Sequence, residues 1–297
     1  MMHYPKAVRI VEVGPRDGLQ NEKDILSPEI KIELINRLTE AGFQNIEAGA
    51  FVSPKWVPQM AGTENVLAGI KRKDGVSYPV LVPNEKGMAS ALAAHVTEIA
   101  VFTAASEAFC QKNINCTIDE SFQRFESVMQ EARQHHIKIR GYLSCVLGCP
   151  YQGDVAPETV AALAARLFNM GCYEISLGDT IGVGTPLNAQ KMLEATAKKI
   201  PLAHMAVHFH DTYGQALANI LVALQMGISV IDAAVGGLGG CPYAKGASGN
   251  VATEDVLYML HNMGIETGVD LEKVSDTALW LSAILNRPPQ AKYSLAR

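Results

Sequence analysis

The sequence has no excess of positive charge. Its 25 Lys and Arg stand against 30 Asp and Glu, a formal net charge of −5 over 297 residues. That removes the electrostatic footprint of a nucleic-acid-binding domain, and no nucleic-acid partner is expected. No apolar run approaches the ~20 residues that span a bilayer, so no membrane partner is expected either. Cys110, Cys116, Cys145, Cys149, Cys172 and Cys241 show neither C-x-x-C spacing nor the density of a small disulfide scaffold. Buried or functional thiols in a reducing compartment are expected instead. The start, Met1-Met2-His3-Tyr4-Pro5-Lys6, passes directly into a strand-like Val8-Arg9-Ile10-Val11, and Leu295-Ala296-Arg297 is no peroxisomal address. A cytoplasmic protein is the expectation.

What the sequence does contain is alternation. Strand-like runs fall near 8–14, 45–51, 78–82, 98–103, 138–146, 173–177, 205–210 and 230–235, most of them nearly continuous in apolar, β-branched residues. Such runs suit strands buried on both faces. Helical signals lie between them. Ser27-Pro28 and Thr185-Pro186 each offer an N-cap followed by proline, and Thr117 to Glu120 has the spacing of a capping box. Gly42, Gly171 and Gly227 stand where a left-handed helix end is wanted. About eight β-α alternations predict an α/β protein built as a closed (β/α)8 TIM barrel. A doubly wound open sheet is the competing architecture, and the lack of G-x-G-x-x-G after the first strand counts against it. One domain is expected over residues 1–297. The barrel covers roughly 8–265, and a short C-terminal helical extension over roughly 270–297 packs Trp280 and Leu281 back onto it.

In such a barrel, chemistry belongs at the C-terminal ends of the strands. Strand one ends in Gly14-Pro15-Arg16-Asp17-Gly18-Leu19-Gln20, where Arg16 and Asp17 can present a cation and a hard oxygen ligand to one cavity. An ordinary ion pair on a surface turn is the simpler reading. Glu47 lies inside an apolar run, where a charge needs a partner, and Arg16 is the natural one. Asp179 ends the sixth run. His208 and His210, two residues apart on the seventh, place two imidazoles on one strand face. Such a pair either begins a metal site or is two histidines without a ligand. The eighth run enters a glycine-dense loop, Val235 to Tyr243 and on to Asn250, that carries Cys241.

Taken together, Arg16-Asp17, Glu47 and His208-x-His210 resemble the signature of the metal-dependent lyase/synthase superfamily of TIM barrels. The loop Leu238-Gly239-Gly240-Cys241-Pro242-Tyr243 is similar to that of its 3-hydroxy-3-methylglutaryl-CoA lyase branch. Further stretches of the same kind cover 14–22, 51–60, 112–116, 141–151 and 172–186. The resemblance implies a divalent cation held by Asp17, His208, His210 and Asn250. Mixed oxygen and imidazole donors suit Mg²⁺ or Mn²⁺, and the choice between them stays open. It implies an acyl-CoA substrate and cleavage of 3-hydroxy-3-methylglutaryl-CoA to acetoacetate and acetyl-CoA. Arg16 would face the thioester oxygen, Glu47 would orient Arg16, and Asp17 or His208 would be the base. Cys241 would return a proton to the acetyl carbanion, and Asp179 would stand behind the metal or a ligand histidine. Lys112 and Asn113 would meet the CoA phosphates, and Gln20 or Ser176 the acyl portion. A homodimer is expected. Two rivals are a synthase that condenses acetyl-CoA with a 2-oxo acid, and a non-enzymatic barrel that binds acyl-CoA.

Overall fold

The computed structural model describes residues 4–239 and 249–297. Its strands are β1 (Arg9–Glu12), β2 (Asn45–Ile46), β3 (Gly49–Ala50), β4 (Val80–Leu81), β5 (Glu98–Ala104), β6 (Lys138–Ser144), β7 (Glu174–Asp179), β8 (Met205–Phe209) and β9 (Val230–Ala233). The helices are α1 (Pro28–Glu40), α2 (Thr63–Gly69), α3 (Glu85–Ala93), α4 (Glu107–Ile114), α5 (Ile118–Gln134), α6 (Pro157–Met170), α7 (Pro186–Ala197), α8 (Ala216–Gln225), α9 (Thr253–Asn262), α10 (Leu271–Ile284) and α11 (Lys292–Ala296).

All strand pairings are parallel, in the order β2-β1-β9-β8-β7-β6-β5-β4-β3. The two ends of that order, β2 and β3, are consecutive pieces of one run. Across the gap between them, the Glu47 N–H donates to the Glu12 carbonyl and the Ala48 N–H to the Pro79 carbonyl. The sheet therefore closes, and the eight expected runs form a (β/α)8 barrel. The second run, expected as one strand over 45–51, forms two short pieces, β2 and β3, and its backbone bonds both neighbouring runs: the Ile46 N–H donates to the Ser77 carbonyl as the Glu47 N–H does to that of Glu12. Every residue of β7, β8 and β9 is buried, including the polar Glu174, Ser176, Asp179, His208 and Asp232, each of which therefore needs a partner.

Local signals account for the helix ends. Thr117 makes the full capping box with Glu120, while Ser27 and Thr185 precede a proline without capping through their side chains. Gly42, Gly171 and Gly227 all take positive φ. The C-terminal segment packs back as expected. Leu281 is buried, and the Arg37 guanidinium of α1 lies 4.7 Å from the Trp280 ring centroid. The N–H of Gln290 donates to the Gly236 carbonyl, fastening the segment beside the last barrel strand.

Candidate metal centre and active site

The segment after β1, read from sequence as the end of strand one, is one turn of π-helix over Gly14–Gly18. The Gly18 N–H reaches back to the Val13 carbonyl at 3.1 Å. Glycine is required at both ends of this turn. A Cβ on Gly14 would sit 2.6 Å from Glu12 Oε1, and one on Gly18 2.7 Å from Leu238 Cβ. The wide turn presents Arg16 and Asp17 to the barrel mouth, a use to which inserted π turns are often put.

Arg16 is almost wholly buried and is held from two sides. Its Nη2 is 2.8 Å from Glu47 Oε2 and its Nη1 2.7 Å from Asp17 Oδ1. The expected pairing with Glu47 is therefore formed. Glu47 also accepts a hydrogen bond from the Tyr142 hydroxyl at 3.2 Å, and the Tyr142 ring lies 5.3 Å from the Arg16 guanidinium carbon. Two polar atoms of the pair, Arg16 Nε and Glu47 Oε1, are buried with no hydrogen-bond partner among the described residues. A site built for a polar ligand leaves such atoms free.

The two histidines share a face at the end of β8, with Nε2 of His208 3.4 Å from Nε2 of His210. Asp17 Oδ2 is 3.8 Å from His208 Nε2, and one ligand atom from each of Asp17, His208 and His210 lies within 4.8 Å of the others. Asn250 donates its amide to Asp17 Oδ2 at 2.8 Å, and its backbone bridges that of His210. Three of the four expected ligands thus form one cluster, and the fourth touches it through Asp17. The donor set fits a divalent cation: one carboxylate oxygen and two imidazole nitrogens, which face each other, converge.

Electrostatics favour the same use. Burial alone would raise the Asp17 carboxyl, but Arg16 and the two histidines outweigh it and bring it down to about 2. Burial and the neighbouring His208 push His210 down to about 4, leaving a neutral ring with a free lone pair. His208 moves the other way: burial lowers it, and the bond to Asp232 together with the Asp17 charge raises it further.

Sequence reasoning missed three residues. Asp232 of β9 lies 3.2 Å from His208 Nδ1, Arg140 of β6 bonds Asp232 through both terminal nitrogens, and Tyr142 supports Glu47. The signal for two of them was available, since Arg140 and Asp232 are charges inside apolar runs, as Glu47 is. Asp179, expected behind the metal or a ligand histidine, accepts the backbone N–H groups of Gly184 at 2.8 Å and Val183 at 3.3 Å. The carboxylate on His208 is Asp232. Ser176, expected at the acyl portion, is fully buried and donates to Asp232 Oδ2 at 2.7 Å. Gln20 is partly buried just after the π turn, while Lys112 and Asn113 are exposed in the last turn of α4. Cys241 lies outside the described residues.

The comparisons with known proteins bear on the same arrangement. The model of the HMGL-like family matches residues 7–280. The chain belongs to the HMGL-like family. Among its relatives in that family is the mitochondrial hydroxymethylglutaryl-CoA lyase of Rattus norvegicus, 60% identical over 292 residues, which are 98% of this chain and 90% of that protein. The crystal structure of hydroxymethylglutaryl-CoA lyase from Pseudomonas aeruginosa is 56% identical and superposes with a TM-score of 0.97, covering 99% of this chain and 98% of that one. An HMG-CoA lyase from Acinetobacter baumannii, solved in complex with coenzyme A and 3-methylmalate, is 35% identical. It superposes with a TM-score of 0.94 and covers 100% of this chain and 97% of its own. These HMGL-like relatives match over nearly their whole length, so the barrel and its closing helices are common to all of them.

Proposed function

We propose that this protein is a lyase that cleaves 3-hydroxy-3-methylglutaryl-CoA to acetoacetate and acetyl-CoA by a retro-Claisen reaction. The observation that carries the reading is the cluster of Asp17, His208 and His210 beside Arg16, in a chain of the HMGL-like family. Neither rival reading, the 2-oxo acid synthase or the non-enzymatic barrel, is favoured by relatives that are themselves lyases.

Three tasks follow from the bond that breaks. The tertiary hydroxyl must lose its proton, the thioester oxygen must carry developing negative charge, and the acetyl carbanion must gain a proton. Asp17, His208, His210 and Asn250 would hold a divalent cation, Mg²⁺ or Mn²⁺. Bound there, it supplies Lewis-acid polarisation and lowers the pKa of a coordinated hydroxyl. Asp17, which offers the cluster one oxygen and keeps a second, takes the hydroxyl proton, since a His208 whose Nε2 is given to the cation has no lone pair left to accept it. Arg16 meets the thioester oxygen. Glu47 and Asp17 fix the guanidinium before substrate arrives, so little reorganisation is needed as charge grows. Cys241 on the glycine loop delivers the closing proton to carbon. Lys112 and Asn113 are assigned to the CoA phosphates and Gln20 to the acyl portion. We further propose a cytoplasmic homodimer, which light scattering of the purified chain would check.

The test is acetoacetate release from 3-hydroxy-3-methylglutaryl-CoA by metal-stripped protein, by protein given back Mg²⁺ or Mn²⁺, and by Cys241→Ala. Metal-dependent release that collapses in Cys241→Ala is expected. Release that persists in that variant would move the proton donor elsewhere. Absence of release under every condition would overturn the lyase reading, and consumption of acetyl-CoA with a 2-oxo acid would replace it.

A further inference from the structure

We propose that Asp232 is a positioning residue for the metal centre: it locks His208 in the tautomer with the proton on Nδ1, so that Nε2 is the nitrogen offered to the cation. This deepens the metal-dependent reading above and rests on it.

The placement comes from the barrel itself. His208 and Asp232 are register partners on the adjacent parallel strands β8 and β9, so their side chains project to the same side, into the barrel. Asp232 Oδ2 lies 3.2 Å from His208 Nδ1. The same carboxylate receives Arg140 Nη1 on Oδ2 at 2.9 Å, Arg140 Nη2 on Oδ1 at 2.7 Å, and the Ser176 hydroxyl on Oδ2 at 2.7 Å. A carboxylate gripped by a bidentate guanidinium and a hydroxyl has no proton to give. Nδ1 of His208 must therefore be the donor, and Nε2 carries the lone pair that faces Asp17 and His210.

The support continues across the barrel. Arg140 Nε bonds Glu174 Oε1 at 2.7 Å, and the other oxygen of Glu174 takes Arg9, which also bonds Asn45 at 3.0 Å. The His208 ring thus stands on a strut anchored in β1, β6, β7 and β9. His210 has no counterpart: its Nδ1 is buried with no partner among the described residues. The two histidines are therefore unequal. His208 is preset by the protein, whereas the ring state of His210 is left for the bound cation to decide.

A merely structural Asp232, present only to neutralise Arg140, would leave cation affinity and imidazole tautomer unchanged in any variant that folds. The experiment measures free Mn²⁺ by electron paramagnetic resonance in titrations of the full chain, wild type against Asp232→Asn and Ser176→Ala. Removing a group that orients a metal-ligating histidine typically weakens binding by roughly 10- to 100-fold, and that loss is expected for Asp232→Asn. A loss of only a few-fold is expected for Ser176→Ala, which removes one donor and leaves the carboxylate in place. In parallel, ring ¹⁵N spectra of the metal-free wild type, recorded at a pH where His208 is neutral, should show that ring, identified by its absence in His208→Gln, with a protonated Nδ1 and a bare Nε2. Unchanged Mn²⁺ affinity in folded Asp232→Asn would overturn the proposal while leaving the metal centre intact. If that variant does not fold, the wild-type spectrum decides alone, and a neutral ring with its proton on Nε2 and a bare Nδ1 overturns it. A wild type that binds no Mn²⁺ would remove the metal reading and this inference together.

Discussion

Glu47 holds Arg16 by a 2.8 Å ion pair inside the barrel mouth, where the glutamate is fully buried and the arginine nearly so. Burial pushes the Glu47 carboxyl above its usual range, and the Arg16 charge opposes that shift. The pair joins the second run to the π turn after β1, and it fixes a guanidinium before any substrate is bound.

Replacing Arg16 by Gln should lower kcat by on the order of 100- to 1,000-fold, the usual effect of losing one group that stabilises a developing oxyanion. Arg16→Lys should restore little, because one ammonium cannot face Glu47 and Asp17 together as the planar fork does. Steady-state rates of acetoacetate release with saturating Mg²⁺ would check both. A Lys variant within about threefold of wild type would contradict the orienting role.

Substituting Lys112 and Asn113 by Ala should raise KM for the acyl-CoA by roughly tenfold and leave kcat within about twofold, since groups that bind a remote phosphate act equally on ground and transition states. These two residues sit exposed on α4, and the core does not depend on them. Parallel assays with a truncated acyl-pantetheine substrate should show no difference between variant and wild type. A fall in kcat with unchanged KM would place them elsewhere in the mechanism.

Stability should fall as pH rises from about 4.5 towards 8 because of Glu12. Burial raises this carboxyl to about 8, against the hydrogen bonds it accepts from Thr253, Val235 and Gly14. In the window between the unfolded and folded values the native state holds a proton that the unfolded chain has released. Its contribution is complete below the unfolded value and is lost as pH rises through the folded one. Urea unfolding at pH 5.5 and 8.5 should show the wild type losing roughly 2–4 kcal/mol more than Glu12→Gln over that interval. Parallel profiles for the two proteins would refute the assignment.

Gly42→Ala should destabilise the fold by about 2 kcal/mol or more, because φ is +103° and a Cβ there would meet the Gly268 carbonyl oxygen at 2.4 Å. Gly75→Ala is the matched control. It also has positive φ, +81°, but a Cβ there would meet nothing within 4 Å. Its cost should stay near 1 kcal/mol. Equal melting-temperature losses in the two variants would show that backbone conformation alone, and not the close approach of the 268 segment, sets the demand for glycine at 42.

The sequence by itself determined the alternation of strands and helices, the closing helical segment, and the candidate residues at strand ends. These are local matters of apolar period, cap chemistry and the rarity of a charge in an apolar run. His208 and His210 could be placed on one face because side chains alternate along a strand, and Glu47 demanded a partner because an unpaired buried charge is too costly. Only the tertiary structure decided which groups meet across the barrel. Asp232 reaches His208 over 24 residues and Arg140 reaches Asp232 over 92, and those pairings depend on strand register, which no local pattern encodes. For the same reason Asp179 and Asp232, two acids on neighbouring strands, could not be told apart as the support of a ligand histidine. One lies at its strand's end facing backbone amides; the other sits level with the imidazole, because closing the sheet puts β8 and β9 in that register.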